Sequence, residues 1–169
     1  MLGFLFRTLT AERPSGAKLF AAASDEARRR HWYIEGGVPD TIDGRFAMLA
    51  TILALILVRL EGDGDDGNAI SVALTERFIE VMESEHRELG LGDPTLGKTV
   101  RRLVGSLARK TELWRSTIAG NAKWDDATAK SLHLAPDTSG VGHDSAALQD
   151  FWRMLERKNL GELMGGAIQ

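Results

Sequence analysis

"FAMLATILALILV", residues 46–58, decides the fold of this chain, because it runs for thirteen residues without a charged side chain. Arg45 and Arg59 bracket the stretch. A helix that spans a bilayer needs about 20 such residues, so this stretch is too short to cross a membrane. We predict instead a central helix over about Ile42 to Glu61, buried on most sides, with both halves of the chain packed around it. Any surface that this helix leaves open is a candidate groove for a bound protein.

Helical periodicity recurs along the rest of the chain, and strand signals are nearly absent. We predict further helices over about Ser15 to Arg30, Asn68 to Gly90, Pro94 to Ala119, Trp124 to Leu134 and Ser145 to Gly161. Residues 62–67, GDGDDG, are predicted to be a flexible acidic break, with Asn68 capping the next helix and Gly90 closing it in a left-handed conformation. Residues 135–145 are interpreted as a loop. The predicted fold is an all-α, single-domain bundle of about six helices over residues 1–169.

Composition excludes several classes of function. The chain has 169 residues, no cysteine and a net charge of -3. Without cysteine there are no disulfides, thiolate zinc sites or cysteine nucleophiles. The weak negative charge gives no global attraction to DNA or anionic lipid, so such binding requires a local basic patch. Residues 1–10 lack the features of a secretory signal, and we expect the mature protein to begin there.

Residues 92–99, GDPTLGKT, match the phosphate-loop pattern G-x-x-x-x-G-K-[ST]. A phosphate loop requires a buried strand before it and a helix that begins at its lysine, because that geometry aims backbone N–H groups at the phosphate. Here the preceding residues have a helical apolar pattern, and Asp93-Pro94 is a typical helix start. The helix therefore begins before Gly97 and Lys98. A small nucleotide-binding protein is retained only as an alternative.

No other pattern indicates an enzyme, a cofactor or a metal site. Glu83-x-x-His86 has the spacing found in di-iron helical bundles, but it occurs once, so we interpret it as an exposed polar face. Residues 63–74 lack the glycine and the glutamate that a calcium loop requires. No nucleophile elbow is present. We expect a non-enzymatic protein that carries no cofactor and no metal.

Charge is distributed unevenly between two neighbouring predicted helices. Residues 61–93 contain ten acidic and two basic side chains, whereas residues 98–115 contain six basic and one acidic. Either these helices face each other with complementary fields, or the basic side forms a surface for a membrane or an acidic partner. In the second case Trp32 and Tyr33 suit the boundary between polar and apolar surroundings, next to the arginines at 28–30. The candidate partner-binding residues are Lys98, Arg101, Arg102, Arg109, Trp32 and Tyr33.

Two segments carry a family resemblance. They are GVPDTIDGRFAML, residues 37–49, and GLGDPTLGKTVRRL, residues 90–103, separated by an apolar helix and then an acidic amphipathic one. In this order and at this distance they resemble the ubiquinol-cytochrome c chaperone family, the assembly factors of cytochrome bc1 (respiratory complex III). The resemblance covers about residues 31–114. Pro94 and Thr99 depart from the family's second motif, and residues 135–169 match little of the family pattern.

The resemblance implies an all-helical, non-enzymatic chaperone that binds newly made cytochrome b, or other bc1 subunits, at the inner membrane. It also implies a small partner protein, as in the mitochondrial branch of the family. The length of the chain is similar to that of the bacterial form, so the expected location is cytoplasmic and peripheral to the inner membrane. Inner-membrane lipid head groups are a further expected partner, and DNA is not. A peripheral lipid-binding helical scaffold is the alternative.

The motif residues also have a physical interpretation. Asp40 and Asp43 are expected to cap the central helix and neutralise its positive end, with Arg45 as an ion-pair partner. Glycine inside a helix costs about 1 kcal/mol relative to alanine, so Gly44 and Gly97 are predicted to mark where the two motif-bearing helices meet. Maintenance of the fold is the alternative role for each motif residue. The full set is Asp40, Asp43, Gly44, Arg45, Phe46, Gly92, Asp93 and Gly97.

Overall fold

The structure, a computed structural model, describes residues 16–90, 92–135 and 137–168. All regular secondary structure in these ranges is helical. The elements are α1 (Ala17–Ala27), α2 (His31–Ile34), α3 (Ile42–Leu60), a 3₁₀ turn (Glu61–Asp63), α4 (Gly64–Glu88), α5 (Asp93–Ile118), α6 (Trp124–Ser131), α7 (Val141–Arg157) and α8 (Leu160–Met164). Six of the described helices have eight residues or more, which confirms the all-α prediction. The predicted helix start at Ser15 and the interpretation of residues 1–10 lie outside the described residues.

Helix α3 is the predicted central helix. Twelve of its nineteen residues are buried, because α1, α4, α5 and α7 all pack against it. Burying one Leu or Ile side chain contributes roughly 1.5 to 3 kcal/mol, so this helix is a major source of stability. In the part of the chain that the structure describes, no helix has the length and apolarity needed to cross a membrane.

The start of α3 differs from the prediction. Thr41 is the N-cap, and its hydroxyl oxygen accepts a hydrogen bond from the backbone N–H of Gly44 at 3.1 Å. Capping by Asp40 and Asp43 was therefore wrong. Asp43 lies in the first turn, where its charge still suits the positive helix end. Asp40 forms the predicted ion pair with Arg45, whose Nε lies 2.7 Å from the carboxylate.

The two motif glycines do not meet. A Cβ at Gly44 would lie 2.0 Å from the carbonyl oxygen of Pro39, so glycine is required there by the loop that leads into α3. A Cβ at Gly97 would have no heavy atom within 4 Å. The prediction that Gly44 and Gly97 mark a helix crossing was therefore wrong.

The acidic segment at residues 62–67 is ordered rather than a flexible break. It forms part of the 3₁₀ turn and the first turn of α4, where Asp65 and Asp66 suit the positive helix end. Because α4 begins at Gly64, Asn68 lies exposed inside the helix, and its predicted role as a cap was wrong. Gly90, beyond the end of α4, has a φ of 82° and is left-handed as predicted.

The C-terminal helices complete the hydrophobic core. Helix α7 begins at Val141, so the interpretation of residues 135–145 as loop was wrong for the last five. Leu148 and Leu155 of α7 and Leu163 of α8 are fully buried in the same cluster as α3. Residues beyond the predicted family-like core therefore belong structurally to the one bundle.

Candidate functional site

Two open clefts lie on either side of Phe46, a half-buried residue of α3. The first, which we call the apolar groove, has a volume of about 470 Å³ and lies between α1, α2, α3 and α4. The second, which we call the basic cleft, has a volume of about 430 Å³ and lies between α3, α4, α5 and the residues after α6. The phenyl ring of Phe46 lines both.

The apolar groove combines a hydrophobic floor with exposed apolar side chains. Ile42 is 54% exposed and Leu89 is 58% exposed, and both line the groove. Single exposed apolar residues are common, but two that line the same cleft, beside further apolar side chains, suit the binding of another apolar surface. Further large apolar side chains form the rest of the groove: Phe46, Leu49, Val81 and Met82.

The rim of the apolar groove carries both signs of charge. Arg28 and Arg45 contribute positive charge, whereas Glu85 and Glu88 of α4 contribute negative charge. The rim of the apolar groove is therefore of mixed charge rather than basic. Tyr33 also lines the groove, and its hydroxyl donates to the carbonyl of Ala27 at 2.6 Å.

The structure separates the two predicted boundary aromatics, Trp32 and Tyr33. Trp32 is only 1% exposed, and its indole N–H donates to the carbonyl of Glu26 at 2.9 Å. It is a core residue, so its predicted role in partner binding was wrong. Tyr33 is half-buried, and burial raises the pKa of its hydroxyl above 10.0, which keeps the donor protonated.

The basic cleft gathers part of the predicted basic stripe. Arg102 and Arg109 lie two turns apart on α5 and both line the cleft. Within the described residues, neither guanidinium has a hydrogen-bond or ion-pair partner. Lys98 and Arg101 are exposed on the same helix but lie outside the cleft. The remaining lining residues are Asp43, Phe46, Ala47, Ala50, Phe78, His86, Leu103, Ser106, Lys110 and His133.

Lys110 is a buried cation at the wall of the basic cleft. Its side-chain ammonium donates a hydrogen bond to the carbonyl of Ser131, and the residue is 5% exposed. Burial, with the neighbouring charge of Arg109, lowers the pKa of Lys110 to about 8. The hydroxyl of Ser131 is itself held by the hydroxyl of Thr51 at 2.7 Å and by the indole N–H of Trp114 at 3.2 Å. The ammonium is therefore fixed in place by a buried polar cluster.

Two histidines also line the basic cleft. His86, expected on an exposed face, is 8% exposed, so that prediction was wrong. Its ring stacks on Phe46 with centroids 5.7 Å apart, and its Nδ1 donates to the carbonyl of Met82 at 2.7 Å. His133 has a φ of 57°, and no other non-glycine residue in the described ranges has a positive φ. Burial, and then the charges of Lys110 and Arg109, lower the pKa of His133 below 6.5.

The phosphate-loop spelling does not form a phosphate loop. The element before Gly92 is helix α4, and α5 already begins at Asp93. Lys98 therefore lies in the second turn of a helix, with its side chain exposed. Among the described residues, no group of three or more His, Asp or Glu side chains is placed to hold a metal ion.

Comparison with known proteins agrees with the family resemblance of the two motif segments. A family model described as ubiquinol-cytochrome C chaperone matches residues 35–127, which is more than half of the chain. A crystal structure described as the Cbp3 homolog from Brucella abortus has a TM-score of 0.76 at 24% identity, with 98% of this chain and 94% of that chain covered. At this identity the likeness concerns the fold alone. No curated protein matches the chain. The extent of the family match shows that this chain belongs to the ubiquinol-cytochrome C chaperone family.

Proposed function

We propose that this protein is a non-enzymatic assembly chaperone for cytochrome bc1. In this proposal it holds newly made cytochrome b at the cytoplasmic face of the inner membrane until other subunits join. Family membership supports the role in assembly. The apolar groove, with Ile42 and Leu89 exposed on its two sides, is the observation that supports client binding.

The groove suits a client that is not yet assembled. A membrane protein without its partners presents apolar surface, and each large side chain that enters the groove contributes roughly 1.5 to 3 kcal/mol. With a volume of about 470 Å³, the groove has room for a small number of such side chains. The mixed charges of Arg28, Arg45, Glu85 and Glu88 then select the orientation of the client more than the strength of its binding.

The test replaces one groove side chain at a time and uses Val72 as a matched control. Val72 is 57% exposed and lies on α4, the helix that Leu89 directly follows. Unlike Leu89, Val72 does not line the groove. Cells would carry Ile42→Asp, Leu89→Asp or Val72→Asp in place of the wild-type protein. We expect both groove variants to lose co-purification of cytochrome b and to lower the level of bc1, while Val72→Asp retains both.

Melting temperatures of the three variants show whether a loss of binding is caused by unfolding. We expect them to be nearly unchanged, because exposed substitutions usually change stability by no more than about 0.5 kcal/mol. Equal recovery of cytochrome b with all three stable variants would contradict the proposal. Recovery of the protein on membranes without cytochrome b distinguishes the chaperone from the alternative, a lipid-binding scaffold. Equal recovery of the protein on those membranes, with bc1 unaffected by groove variants, would favour the scaffold.

A further inference from the structure

The basic cleft contains more positive charge than its own carboxylate neutralises. Asp43 is the acidic residue among the described lining residues, whereas Arg102, Arg109 and Lys110 are cationic. We propose that this cleft binds the phosphate group of an amphiphile such as an anionic phospholipid. The cleft shares Phe46 with the apolar groove, but its three cationic residues do not line that groove, and the proposal does not depend on the chaperone function.

The two arginines of the cleft are available for a ligand. Arg115 pairs with Glu61, with guanidinium nitrogen and carboxylate oxygen 2.5 Å apart, and Arg59 pairs with Asp63 at 2.6 Å. In contrast, Arg102 and Arg109 have no such partner in the described part of the chain. A guanidinium presents a planar set of N–H donors that matches two oxygens of one phosphate. Two unpaired guanidinium groups on one wall therefore favour a phosphate, which offers several oxygens, over a compact monovalent anion.

Lys110 supplies a third donor with a reason to bind an anion. A buried cation without an anionic partner is unfavourable, and within the described residues Lys110 has none. Its hydrogen bond to the Ser131 carbonyl uses one of three N–H donors on the ammonium. A bound phosphate would neutralise the charge that burial disfavours. A phosphate bound in the cleft thus offsets the unfavourable free energy of burying the Lys110 charge.

His133 has a left-handed backbone conformation directly after α6, with a φ of 57°. His133 follows Leu132, the C-cap of α6, and the next residue, Leu134, donates its backbone N–H to the carbonyl of Ala129 at 2.8 Å. Glycine is the usual residue at this left-handed position, because a side chain there is strained. The chain instead places an imidazole at the cleft. Strain held in this way occurs commonly where the side chain has a function.

The other walls of the basic cleft are apolar. Phe46 and Phe78 line it together with Leu103, next to the cationic side. A free inorganic phosphate would contact only the cations. A phosphate attached to an apolar group would contact both kinds of wall, so the cleft favours an amphiphile.

The test compares two double variants with the same loss of charge. Arg102→Gln/Arg109→Gln removes two cations of the cleft, and Lys98→Gln/Arg101→Gln removes two exposed cations of the same helix outside it. Co-sedimentation with phosphatidylglycerol vesicles would measure the apparent Kd, with phosphatidylcholine vesicles as the neutral reference. At about 1 kcal/mol for each cation, we expect the cleft variant to bind roughly 30-fold more weakly than wild type, and the control variant to lose much less. Equal losses would overturn the proposal, because they would show diffuse attraction without a site.

Two further measurements complete the test. Calorimetric titration with inorganic phosphate distinguishes free phosphate from a lipid phosphate as the ligand. Tight binding of inorganic phosphate that only the cleft variant loses would assign the site to free phosphate. Absence of binding to both phosphate and lipid would overturn the proposal. His133→Gly relieves the strained backbone, so we expect an unchanged or higher melting temperature together with weaker vesicle binding. A lower melting temperature with unchanged binding would show a purely structural histidine. The vesicles contain no cytochrome b, so failure here leaves the chaperone proposal standing.

Discussion

Asp144 accepts a hydrogen bond from the backbone N–H of Gly37 at 2.8 Å, which joins two residues 107 positions apart. This contact docks α7 onto the loop before α3, at the first residue of the motif segment 37–49. The carboxyl group is fully buried, and its second oxygen, Oδ1, has no partner among the described residues. A Cβ at Gly36 would lie 2.0 Å from that oxygen. The C-terminal helices and the motif loop therefore depend on each other for their positions.

The first prediction concerns the close approach at Gly36. Gly36→Ala places a Cβ against both Asp144 and the carbonyl oxygen of Trp32, which would lie 2.4 Å away. Since backbone must move to accept it, we expect a loss of about 1 to 3 kcal/mol in the free energy of unfolding, measured by urea denaturation. Gly142→Ala is the control, because a Cβ at that helical position meets no heavy atom within 4 Å and alanine favours helix. Equal stability of the two variants would contradict the packing described.

The second prediction concerns the pH dependence that Asp144 contributes. Burial raises the pKa of Asp144 to about 6, above its ordinary value of 3.8, although the hydrogen bond from Gly37 opposes the shift. The folded state therefore holds the proton more tightly, so this contribution to stability is present below pH 3.8 and is lost as pH rises to about 6. Relative to Asp144→Asn, the wild type should lose about 2 kcal/mol between pH 4.5 and pH 7. Parallel stability curves would show that the carboxyl is ionised throughout.

The third prediction concerns Lys110, for which stability changes with pH in the opposite direction. The pKa of Lys110 is lowered from 10.5 to about 8, so the unfolded state binds the proton more tightly. The cost of the buried ammonium is full below pH 8 and disappears as pH rises towards 10.5. Relative to Lys110→Met, the wild type should gain about 2 kcal/mol between pH 7.5 and pH 9.5, as measured by chemical denaturation. A constant difference between the two proteins would show that Lys110 is better solvated than its position indicates.

The fourth prediction concerns the cap of the central helix. Thr41→Ala removes the hydroxyl that accepts from Gly44 N–H, so we expect a loss of about 1 kcal/mol in the free energy of unfolding. Asp40→Asn, one residue earlier, removes only an exposed ion pair with Arg45 and should leave stability nearly unchanged. Thermal unfolding of both variants compares them directly. A larger effect at Asp40 would restore the capping role that the sequence first suggested for it.

Local patterns in the sequence predict the helices well. The uncharged stretch at residues 46–58 predicts the buried α3, because twelve of its thirteen positions are apolar and leave no polar face for solvent. Asp93-Pro94 predicts a helix start ahead of Lys98, which removes the phosphate loop. Both inferences depend only on residues that are close together in the sequence, within fewer than four helical turns.

Some buried polar residues also had a signal in the sequence. His86 follows Phe78 and Met82 at intervals of four, and all three are buried on one face of α4. Lys110 similarly lies between Leu107 and Trp114 on the apolar face of α5, and all three are buried. Helical spacing could have predicted both burials, whereas we interpreted His86 as part of an exposed polar face with Glu83 and counted Lys110 only among the basic charges of its helix.

Other features depend on contacts distant in sequence. Nothing near Trp32 and Tyr33 distinguishes the buried ring from the half-buried one, because the choice depends on how α2 turns after α1. The docking of Asp144 on Gly37 and the lining of the basic cleft by His133 likewise require the completed bundle. No local periodicity carries that information.

Phe46 forms part of the wall of both clefts, and this has a thermodynamic consequence. If a ligand in one cleft turned the ring, the shape available to a ligand in the other cleft would change, and the two affinities would then be coupled. Such coupling is reciprocal: whatever factor an occupant of the apolar groove applies to affinity in the basic cleft, an occupant of the basic cleft applies equally in return.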